Sequence, residues 1–556
     1  VPDLGESDEE ASFEEGATRT PAGDIAQFNL TLEDSDDTFV QIGGEDSDFV
    51  DVLYLEADDE DEPMNVQINT RLLGLNASTE SVYDTDNVDT ITSGVHDGPS
   101  ALEGEDRRSS SLFEDDGTTG GDIDFGYYTN ETVDQPWDNQ LTRPVQAADY
   151  EIVVAADNTD DPGVFDADTG EPNEEIASKV MELQQPTIGD ITVHTAPEES
   201  ANDETELQPL VDAATQREEI AIDDRLIVQV EATGIYGALV NQSGDDFDTL
   251  DDGMSTEYLN DLIGESAEGF DFYIEADSTT GNQDVLKVDL EAPDTNSYVV
   301  LDNEGGQFFV IADTSSDDTF ANGDAPDDDT EFTAEIEYDG DDGDERRELN
   351  EFNNVYSALD GSGDYYNFPY LQQGEVLSST ATLTMAPAEV NFDNVNVDDV
   401  LEAENVEDAE VSGTTNVAPG SEATLRVSST DASSTFRNGQ TVDIREDGTV
   451  SATFDFSDQE AGDLFDTSFR VEGSNVDTVD STIVEEGTLS EDAPEEEETE
   501  EEETEEETDE SEDDMSEDNT SEEETSDEGE TSDEGETSEE ETDEQTPGFG
   551  AIVALV

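Results

Sequence analysis

The sequence predicts an all-β protein in which tandem immunoglobulin-like β-sandwich domains precede a disordered acidic stalk. Apolar and polar residues alternate in short runs that are separated by clusters of Asp, Gly, Asn and Ser, and a period of two is typical of strands buried on one face. The runs follow one another without interleaved amphipathic helices, which favours antiparallel sandwiches over parallel α/β units.

The strand pattern is clearest in ten segments between residues 27 and 385. These are 27–32, 49–55, 66–69, 150–155, 226–232, 270–275, 285–290, 308–312, 332–338 and 381–385. The segment 255–263 is an exception, because Ser255 provides a capping hydroxyl and the apolar residues that follow share one helical face. These apolar residues are Tyr258, Leu259, Leu262 and Ile263.

Composition and turn signals divide the chain into five segments. They are an N-terminal β-rich domain (1–190), a second β-rich domain (191–385), a small immunoglobulin-like sandwich (386–489), a Glu/Thr/Ser-rich stalk (490–546), and a terminal motif with a truncated hydrophobic anchor (547–556). In the third segment we predict consecutive strands at 423–428, 441–444 and 451–456. Asp447-Gly448 predicts a hairpin there, because glycine tolerates the positive φ of a tight turn.

The acid bias is the strongest compositional signal. The chain has 157 acidic residues against 15 basic ones, a formal net charge of −142 over 556 residues. At ordinary ionic strength a Debye length of roughly 8–10 Å leaves these charges repelling one another, whereas molar salt reduces it to about 3 Å. We therefore expect high concentrations of monovalent cations to act as a cofactor of folding. The lack of any basic patch argues against nucleic-acid binding.

The stalk has a composition from which no core can form. It is dominated by Glu, Thr, Ser, Asp and Gly, and the hexapeptide TSDEGE at 525–530 is repeated at once at 531–536. Like charges extend such a segment, and its dense serines and threonines suit O-linked sugars. The alternative is a solvating tail with no specific role.

A specific motif follows the stalk. Pro547-Gly548-Phe549 leads into a glycine and the apolar run 551–556, which is far shorter than the roughly 20 residues that a membrane span needs. We interpret this run as the front of a hydrophobic anchor. An acidic, Thr-rich stalk followed by Pro-Gly-Phe-Gly resembles the C-terminal sorting signal of haloarchaeal S-layer-like cell-surface glycoproteins. Segments 147–150 and 191–197 are similar to segments of the same proteins.

The resemblance implies a location and a partner. In that family the Pro-Gly-Phe signal, here Pro547, Gly548 and Phe549, is read by an archaeosortase and the hydrophobic segment is exchanged for a lipid. The family signal also contains a full hydrophobic helix and a terminal arginine cluster, which this sequence lacks. The expected location is extracellular, at the cell surface, with attachment to the membrane through a C-terminal anchor.

Two kinds of candidate site accompany this assignment. The acceptor pattern Asn-x-Ser/Thr marks possible N-glycosylation sites at Asn29, Asn76, Asn130, Asn241 and Asn519. Two acidic, glycine-containing loops are candidate calcium sites, because Ca²⁺ takes six to eight oxygen ligands from flexible loops. Their candidate ligands are Asp157, Asp166 and Asp168 in the first loop and Asp339, Asp341 and Asp344 in the second. Solvated acidic loops are the alternative, since Asp and Glu make up more than a quarter of the chain.

Catalysis has little support in the sequence. The chain has no cysteine, only two histidines, His96 and His194, and no Gly-x-Ser-x-Gly motif. We therefore predict a non-enzymatic structural glycoprotein of an extreme halophile that self-associates into an S-layer or similar envelope lattice. The alternative is an anchored adhesion or ligand-binding surface protein, or a viral spike, without a lattice role.

The charge gives a testable prediction about the solvent. Of the 157 acidic residues 34 lie beyond residue 490, so residues 1–490 carry 15 − 123 = −108 charges. Transfer from molar salt to ~0.1 M salt, where the Debye length is about 10 Å, should expand or unfold the protein. Near-ultraviolet circular dichroism follows the transition, with divalent ions chelated throughout. A spectrum that does not change on transfer would contradict this prediction.

Overall fold

The computed structural model describes residues 10–490 with gaps at 15, 45–46, 48, 60–61, 76, 103–140, 142–143, 156–163, 166–171, 198–205, 264–268, 278–284, 292–295, 324–325, 327, 341–347, 350–355, 358–367 and 373. Residues Val1–Pro494 form one compact unit. The described strands of this unit build three successive two-sheet sandwiches, named here sandwich I (10–184), sandwich II (188–386) and sandwich III (390–484).

Sandwich I packs a four-stranded sheet on a six-stranded one. Its described elements are β1 (Glu10–Phe13), β2 (Ala17–Pro21), β3 (Ile25–Glu33), β4 (Asp37–Gly44), β5 (Phe49–Ala57), β6 (Met64–Asn69), α1 (Thr79–Val82), β7 (Tyr83–Asp86), β8 (Val88–Ser93), a 3₁₀ turn (Pro99–Leu102), β9 (Asp149–Ala155) and β10 (Glu175–Gln184). The strand orders are β1-β3-β6-β7 and β2-β10-β9-β4-β5-β8.

Sandwich II has the same layout, with short helices inserted between its strands. Its described strands are β11 (Ile188–Ala196), β12 (Thr215–Gln216), β13 (Glu219–Ala221), β14 (Arg225–Ala232), β15 (Met254–Ser255), β16 (Phe270–Ala276), β17 (Ser297–Asp302), β18 (Gln307–Asp313), β19 (Thr330–Asp339), β20 (Glu348–Leu349), β21 (Tyr356–Ser357) and β22 (Val376–Ala386). The main sheets run β12-β11-β14-β18-β17-β15 and β13-β22-β19-β16, and β20 pairs with β21. The described helices are α2 (Leu207–Ala213), α3 (Tyr236–Gln242), α4 (Thr249–Asp252), α5 (Thr256–Ile263) and two 3₁₀ turns (Asp317–Thr319 and Ala321–Gly323).

Sandwich III is smaller. Its strands are β23 (Val390–Phe392), β24 (Leu401–Glu404), β25 (Ala409–Thr415), β26 (Glu422–Asp431), β27 (Arg437–Asp443), β28 (Thr449–Phe454), β29 (Leu464–Val471) and β30 (Ser474–Val484). They form a three-stranded sheet, β23-β25-β28, and a five-stranded sheet, β24-β30-β29-β26-β27.

A parallel pair closes each sandwich. The last strand of each, β10, β22 or β30, runs parallel to an earlier strand, β2, β13 or β24, while the other ladders between the described strands are antiparallel. The chain therefore leaves every sandwich along a strand that is hydrogen-bonded to an early strand of the same sandwich.

The apolar residues form two main cores among the described residues. One continuous cluster contains the centres of both sandwich I and sandwich II, including Phe28 and Phe332, which are 2% and 0% exposed. A second cluster fills sandwich III around Phe454 and reaches back to Ala221 on β13 of sandwich II. Sandwiches I and II thus share a core, whereas sandwich III has its own.

The structure confirms the predicted all-β class and the tandem immunoglobulin-like sandwiches. Helix α5 lies within the predicted helical segment, and Ser255 accepts a hydrogen bond from the Glu257 N–H at 3.2 Å, as expected of a cap. The strand predicted at 285–290 is wrong: this segment makes only isolated bridges, from Lys287 to Glu275 and from Val288 to Phe320. Val288 and Leu290 are buried there without a ladder, whereas Val285 is exposed.

The hairpin predicted at Asp447-Gly448 is also wrong. The turn exists, with Gly448 at a φ of 78° and a hydrogen bond from the Gly448 N–H to the Arg445 carbonyl. However, β27 before it pairs with β26, and β28 after it pairs with β25 in the opposite sheet. The turn therefore carries the chain from one sheet to the other.

The shared core gives a prediction about cooperativity. Replacing Phe28 or Phe332 by alanine should cost about 3–5 kcal/mol of unfolding free energy, and both variants should lower the same thermal transition. Phe454→Ala should lower a different transition, that of sandwich III. Differential scanning calorimetry in molar salt measures both. Separate transitions for sandwiches I and II would show that their cores melt independently.

Candidate functional site: the interdomain junctions

Sandwiches I and II, and sandwiches II and III, are joined by connections of equal length. Three residues, 185–187, separate β10 from β11, and three residues, 387–389, separate β22 from β23. Such short connections bring the end of one sandwich against the start of the next, so backbone groups buried there need partners across the junction.

Asp24 is the centre of the first junction. This carboxyl is fully buried, and it accepts hydrogen bonds from the N–H of Gly234 at 2.7 Å and of Tyr236 at 3.1 Å, both in sandwich II. Its second oxygen, Oδ2, has no hydrogen-bond partner among the described residues. Two tyrosine hydroxyls stabilise the backbone that leads into residues 234–236. Tyr236 donates to the Ala232 carbonyl at 3.1 Å, and Tyr338 donates to the Thr233 carbonyl at 2.9 Å.

Further polar contacts surround Asp24. Asn69 donates to the Gly237 carbonyl at 2.9 Å, and the Gly237 N–H donates to the Gly23 carbonyl at 2.9 Å. Asn303 of sandwich II makes two bonds to the backbone of Ile25, at 3.0 and 3.1 Å. The carbonyl of Gly234 lies against Gly23, where a Cβ atom would collide with it. Sandwiches I and II are therefore docked by backbone-directed bonds that fix their relative orientation.

The second junction uses the same kind of group. Asp224, which is 6% exposed, accepts a hydrogen bond from the N–H of Ala418 in sandwich III at 2.7 Å. Arg217 adds a cation that donates to the carbonyls of Asn416 at 3.0 Å and Val417 at 3.2 Å. Beside these contacts lies an open cleft of about 390 Å³, lined by both sandwiches.

The two junction aspartates occupy equivalent positions. Each follows a residue with positive φ, Gly23 at 99° in sandwich I and Asp223 at 87° in sandwich II. The aspartate N–H donates to the carbonyl three residues earlier, at 3.2 Å in sandwich I and 3.0 Å in sandwich II. Each aspartate is followed directly by a long strand, β3 or β14.

A threonine fixes the turn in both copies. The hydroxyl of Thr70 accepts from the Gly23 N–H at 2.9 Å and donates to the Asp24 carbonyl at 2.7 Å. The hydroxyl of Thr314 makes the same two bonds in sandwich II, at 3.0 and 2.7 Å. Sandwiches I and II thus share the same turn, the same threonine contacts and an aspartate at the same position, Asp24 or Asp224.

Sandwich III keeps the turn but not the aspartate. Gly420 has a φ of 92°, and the next N–H, that of Ser421, donates to the Ala418 carbonyl at 3.3 Å. Serine stands here at the position of the junction carboxyl. The carboxyl is therefore present in the two sandwiches that are followed by another sandwich within the described residues.

Burial controls the charge of both junction carboxyls. Desolvation raises the pKa of Asp24 to about 8, although the backbone N–H groups of residues 234–236 favour its charged form. Desolvation likewise raises the pKa of Asp224 to about 7; Ala418 and Arg217 oppose the shift, while Asp223 and Glu472 add to it. Near neutral pH the proton is thus mostly retained on Asp24 and about half retained on Asp224.

The structure describes two of the five predicted glycosylation sites. Asn29 is half-buried on β3, and its Nδ2 donates to Glu14 at 3.0 Å. Asn241 is exposed near the end of α3. Asn76, Asn130 and Asn519 lie outside the described residues, and glycosylation at all five stays a prediction.

The predicted calcium ligands fall mostly outside the described part of the chain. Asp339 ends β19, whereas Asp157, Asp166, Asp168, Asp341 and Asp344 are not described. Within the described ranges, no group of three or more His, Asp or Glu side chains is arranged to hold a metal ion. Pro547, Gly548 and Phe549 also lie outside. No helix in the described ranges is long and apolar enough to cross a bilayer.

The sequence did not single out Asp24 or Asp224. In a chain with this many acidic residues, a carboxylate beside a strand carries no signal of its own. The one usable sign is the local pattern, in which an apolar residue and a turn residue precede the aspartate and a strand follows: Ala22-Gly23-Asp24 corresponds to Ile222-Asp223-Asp224. The match is too short to be recognised without the shared hydrogen bonds.

Curated surface proteins of halophilic archaea are similar to this chain. Cell surface glycoprotein 1 of Haloarcula hispanica is 25% identical over 504 residues, which cover 88% of this chain and 46% of that protein. The cell surface glycoprotein of Haloferax gibbonsii is 26% identical over 401 residues, covering 67% of this chain and 42% of that protein. The chain is similar to haloarchaeal cell surface glycoproteins and spans a little under half of their length.

Two further comparisons concern parts of the chain and its fold. Residues 5–117 match the model of a family described as a domain of unknown function, DUF7827. Among solved structures, the FN1–FN3 domains of chicken CNTN1 match at 10% identity, covering 85% of this chain and 98% of that one with a TM-score of 0.17. A tetra-tandem repeat from the extending region of a large adhesion protein matches at 11% identity with a TM-score of 0.14, covering 85% and 97%.

The junction carboxyls give a prediction about pH. Because the folded-state pKa values of Asp24 and Asp224 lie above the ordinary value of about 4, the folded protein keeps protons that the unfolded chain releases. Their contribution to stability is complete below about pH 4 and is lost as the pH rises towards 7 for Asp224 and 8 for Asp24. Each carboxyl contributes a slope of about 1.4 kcal/mol per pH unit in that window.

Denaturant titrations from pH 5 to pH 8 in molar salt measure this slope. Asp24→Asn and Asp224→Asn replace the protonated acid by a neutral group of the same shape, so each variant should lose less stability than the parent as the pH rises. Asp190→Asn, an exposed site on β11, is the matched control and should follow the parent curve. Parallel curves for all four proteins would mean that the junction carboxyls are ionised in the fold.

Proposed function

We propose that this protein is a structural surface glycoprotein of an extreme halophile and a component of an S-layer or similar envelope lattice. The observation that carries the proposal is the similarity to curated cell surface glycoproteins of haloarchaea over 88% of the chain. The proposed location is extracellular, at the cell surface, and the proposed role is structural and non-enzymatic.

The junctions support a structural role. A lattice component must hold its domains at fixed angles, since freely rotating domains cannot repeat the same contacts from copy to copy. Asp24 and Asp224 each bind the backbone of the following sandwich, and sandwiches I and II share one apolar core. Backbone groups have fixed positions, so bonds to them restrict rotation more than bonds between flexible side chains would.

The charge supports a surface exposed to brine. With −108 charges on residues 1–490, copies of this protein can approach each other only where salt screens their repulsion. Lateral contacts are proposed to form across acidic surfaces with cations between them, calcium among them. Attachment through the segment around Pro547, Gly548 and Phe549, with processing by an archaeosortase, belongs to the same proposal and is supported by the resemblance of that segment to the sorting signal.

Assembly of the purified full chain tests the lattice proposal. In molar salt with calcium present, the protein should form two-dimensional arrays that electron microscopy detects, and its sedimentation should depend on concentration. Asp24→Ala, which leaves the Gly234 and Tyr236 N–H groups without their acceptor, should disorder the arrays while sandwich III keeps its thermal transition. A protein that remains monomeric at every salt and calcium concentration would exclude a lattice role and favour a minor adhesin.

A further inference from the structure

The outer face of the five-stranded sheet in sandwich III differs from the corresponding faces of the other sandwiches. In sandwich I an apolar patch on the six-stranded sheet is covered by Val164 and Phe165, and in sandwich II such a patch is covered by Leu210 of α2. In sandwich III the outward residues of β26 are polar, as are those of β29 apart from the exposed Leu464, while Leu425 and Phe469 on the same strands face the core.

This outer face is enriched in arginine. Across β26, β27 and β29 there are three arginines, Arg426, Arg437 and Arg470, against four acidic residues. The whole chain has 15 basic residues against 157 acidic ones. These three strands therefore form a nearly neutral surface in a protein that is otherwise strongly negative.

The strand register places the arginines on one side of the sheet. Arg426 on β26 lies opposite Gly439 on β27, and Arg437 lies opposite Ser428. Positions 426 and 428 alternate with the buried Leu425 and Val427, so both arginines project from the outer face. Arg470 lies on the same face and donates to the carbonyl of Gly473 in its own hairpin.

Two of these cations have no partner of their own. Neither Arg426 nor Arg437 makes a side-chain hydrogen bond or ion pair with another described residue. By contrast, Arg19 pairs with Glu182 at 2.8 Å and Arg225 with Asp313. Gly439 leaves the stem of Arg426 uncovered, since the nearest atoms to a Cβ there would be 3.7–3.8 Å away and include Arg426 Cβ and Cγ. The guanidinium groups are thus available to an external carboxylate.

The chain leaves sandwich III at the other edge of this face. The N–H and hydroxyl of Ser490 donate to Glu402 on β24 at 2.7 and 3.0 Å. The strand order places β24 and β27 at opposite edges of the sheet. Ser490 thus lies at the β24 edge, on the opposite side of the sheet from β27 and the exposed Arg437.

We propose that this outer face of β26, β27 and β29, the arginine face, binds an acidic surface of a second copy of this chain. The inference rests on the proposed lattice function and names one of its contacts. In molar salt only charges in direct contact attract, because the Debye length is about 3 Å. Arginine suits such a contact, since its guanidinium is weakly hydrated and binds carboxylates through two parallel hydrogen bonds.

Charge complementarity decides in favour of a second copy. Acidic residues outnumber basic ones by about ten to one in the second copy, so most pairs of faces repel, whereas the guanidinium groups of the arginine face can contact carboxylates directly. The Asp/Glu-rich segment beyond residue 490 of the same chain is the competing occupant, and the experiment below distinguishes the two.

Charge reversal tests the face in the full-length protein. Arg437→Glu should raise the concentration needed for half-maximal assembly in molar salt by about tenfold or more, with an unchanged melting temperature. Arg19→Glu makes the same charge change at an exposed, ion-paired site of sandwich I and should assemble like the parent. If the parent assembles and R437E assembles equally well, the arginine face is not a contact, although the lattice role stands. If the parent itself does not assemble, the proposed function fails.

Cross-linking identifies the occupant directly. The chain has only two lysines, Lys179, which is 4% exposed, and Lys287, so Arg437→Lys adds one reactive amine against a low background. A zero-length amine-to-carboxylate reagent is applied to a mixture of ¹⁵N-labelled and unlabelled R437K protein in molar salt. Cross-links from position 437 that join labelled to unlabelled peptides support the proposal. Cross-links confined to one copy, including those to 491–546, would overturn it.

Discussion

Electrostatic repulsion is the constraint on which the rest of this structure depends. With 15 cations for 157 anions, ion pairs cannot supply most of the cohesion, because fewer than one acidic residue in ten has a basic counterpart. Folding must therefore rely on apolar burial and on backbone hydrogen bonds, neither of which requires a partner of opposite charge. The continuous core of sandwiches I and II and the long antiparallel ladders meet this requirement.

The junctions show how the same constraint acts on buried polar groups. A charged carboxylate taken out of water is costly, and additional negative charge nearby increases that cost. Asp24 and Asp224 reduce it by accepting backbone N–H groups and through raised pKa values, about 8 and about 7, which favour the uncharged acid. Acidic residues, which are everywhere on this chain, thus also serve as neutral hydrogen-bonding groups inside it. Thr70 and Thr314 make the same contacts, so the same arrangement of turn and aspartate occurs in sandwiches I and II.

The sequence could predict the fold class but not the pairing of strands or the junctions. Alternation over 270–275 and 332–338 identifies two strands because one face of each is buried, and burial leaves a period of two in the sequence. The error at Asp447-Gly448 arose because turn chemistry reports local geometry, whereas the sheet that a strand joins depends on distant partners such as β25. Asp24 was missed because its role depends on Gly234, more than two hundred residues away.

The parallel pairs that close the sandwiches have a mechanical meaning. The chain leaves sandwich I along β10, whose neighbour β2 runs in the same direction, and sandwich II ends in the same way with β22 beside β13. A pulling force that enters near the start of β2 and leaves at the end of β10 is directed along the strands. Such a force loads all hydrogen bonds between β2 and β10 at the same time, whereas a force perpendicular to the strands would break them one after another. Sandwich I is thus built to resist tension in shear along the β2–β10 ladder.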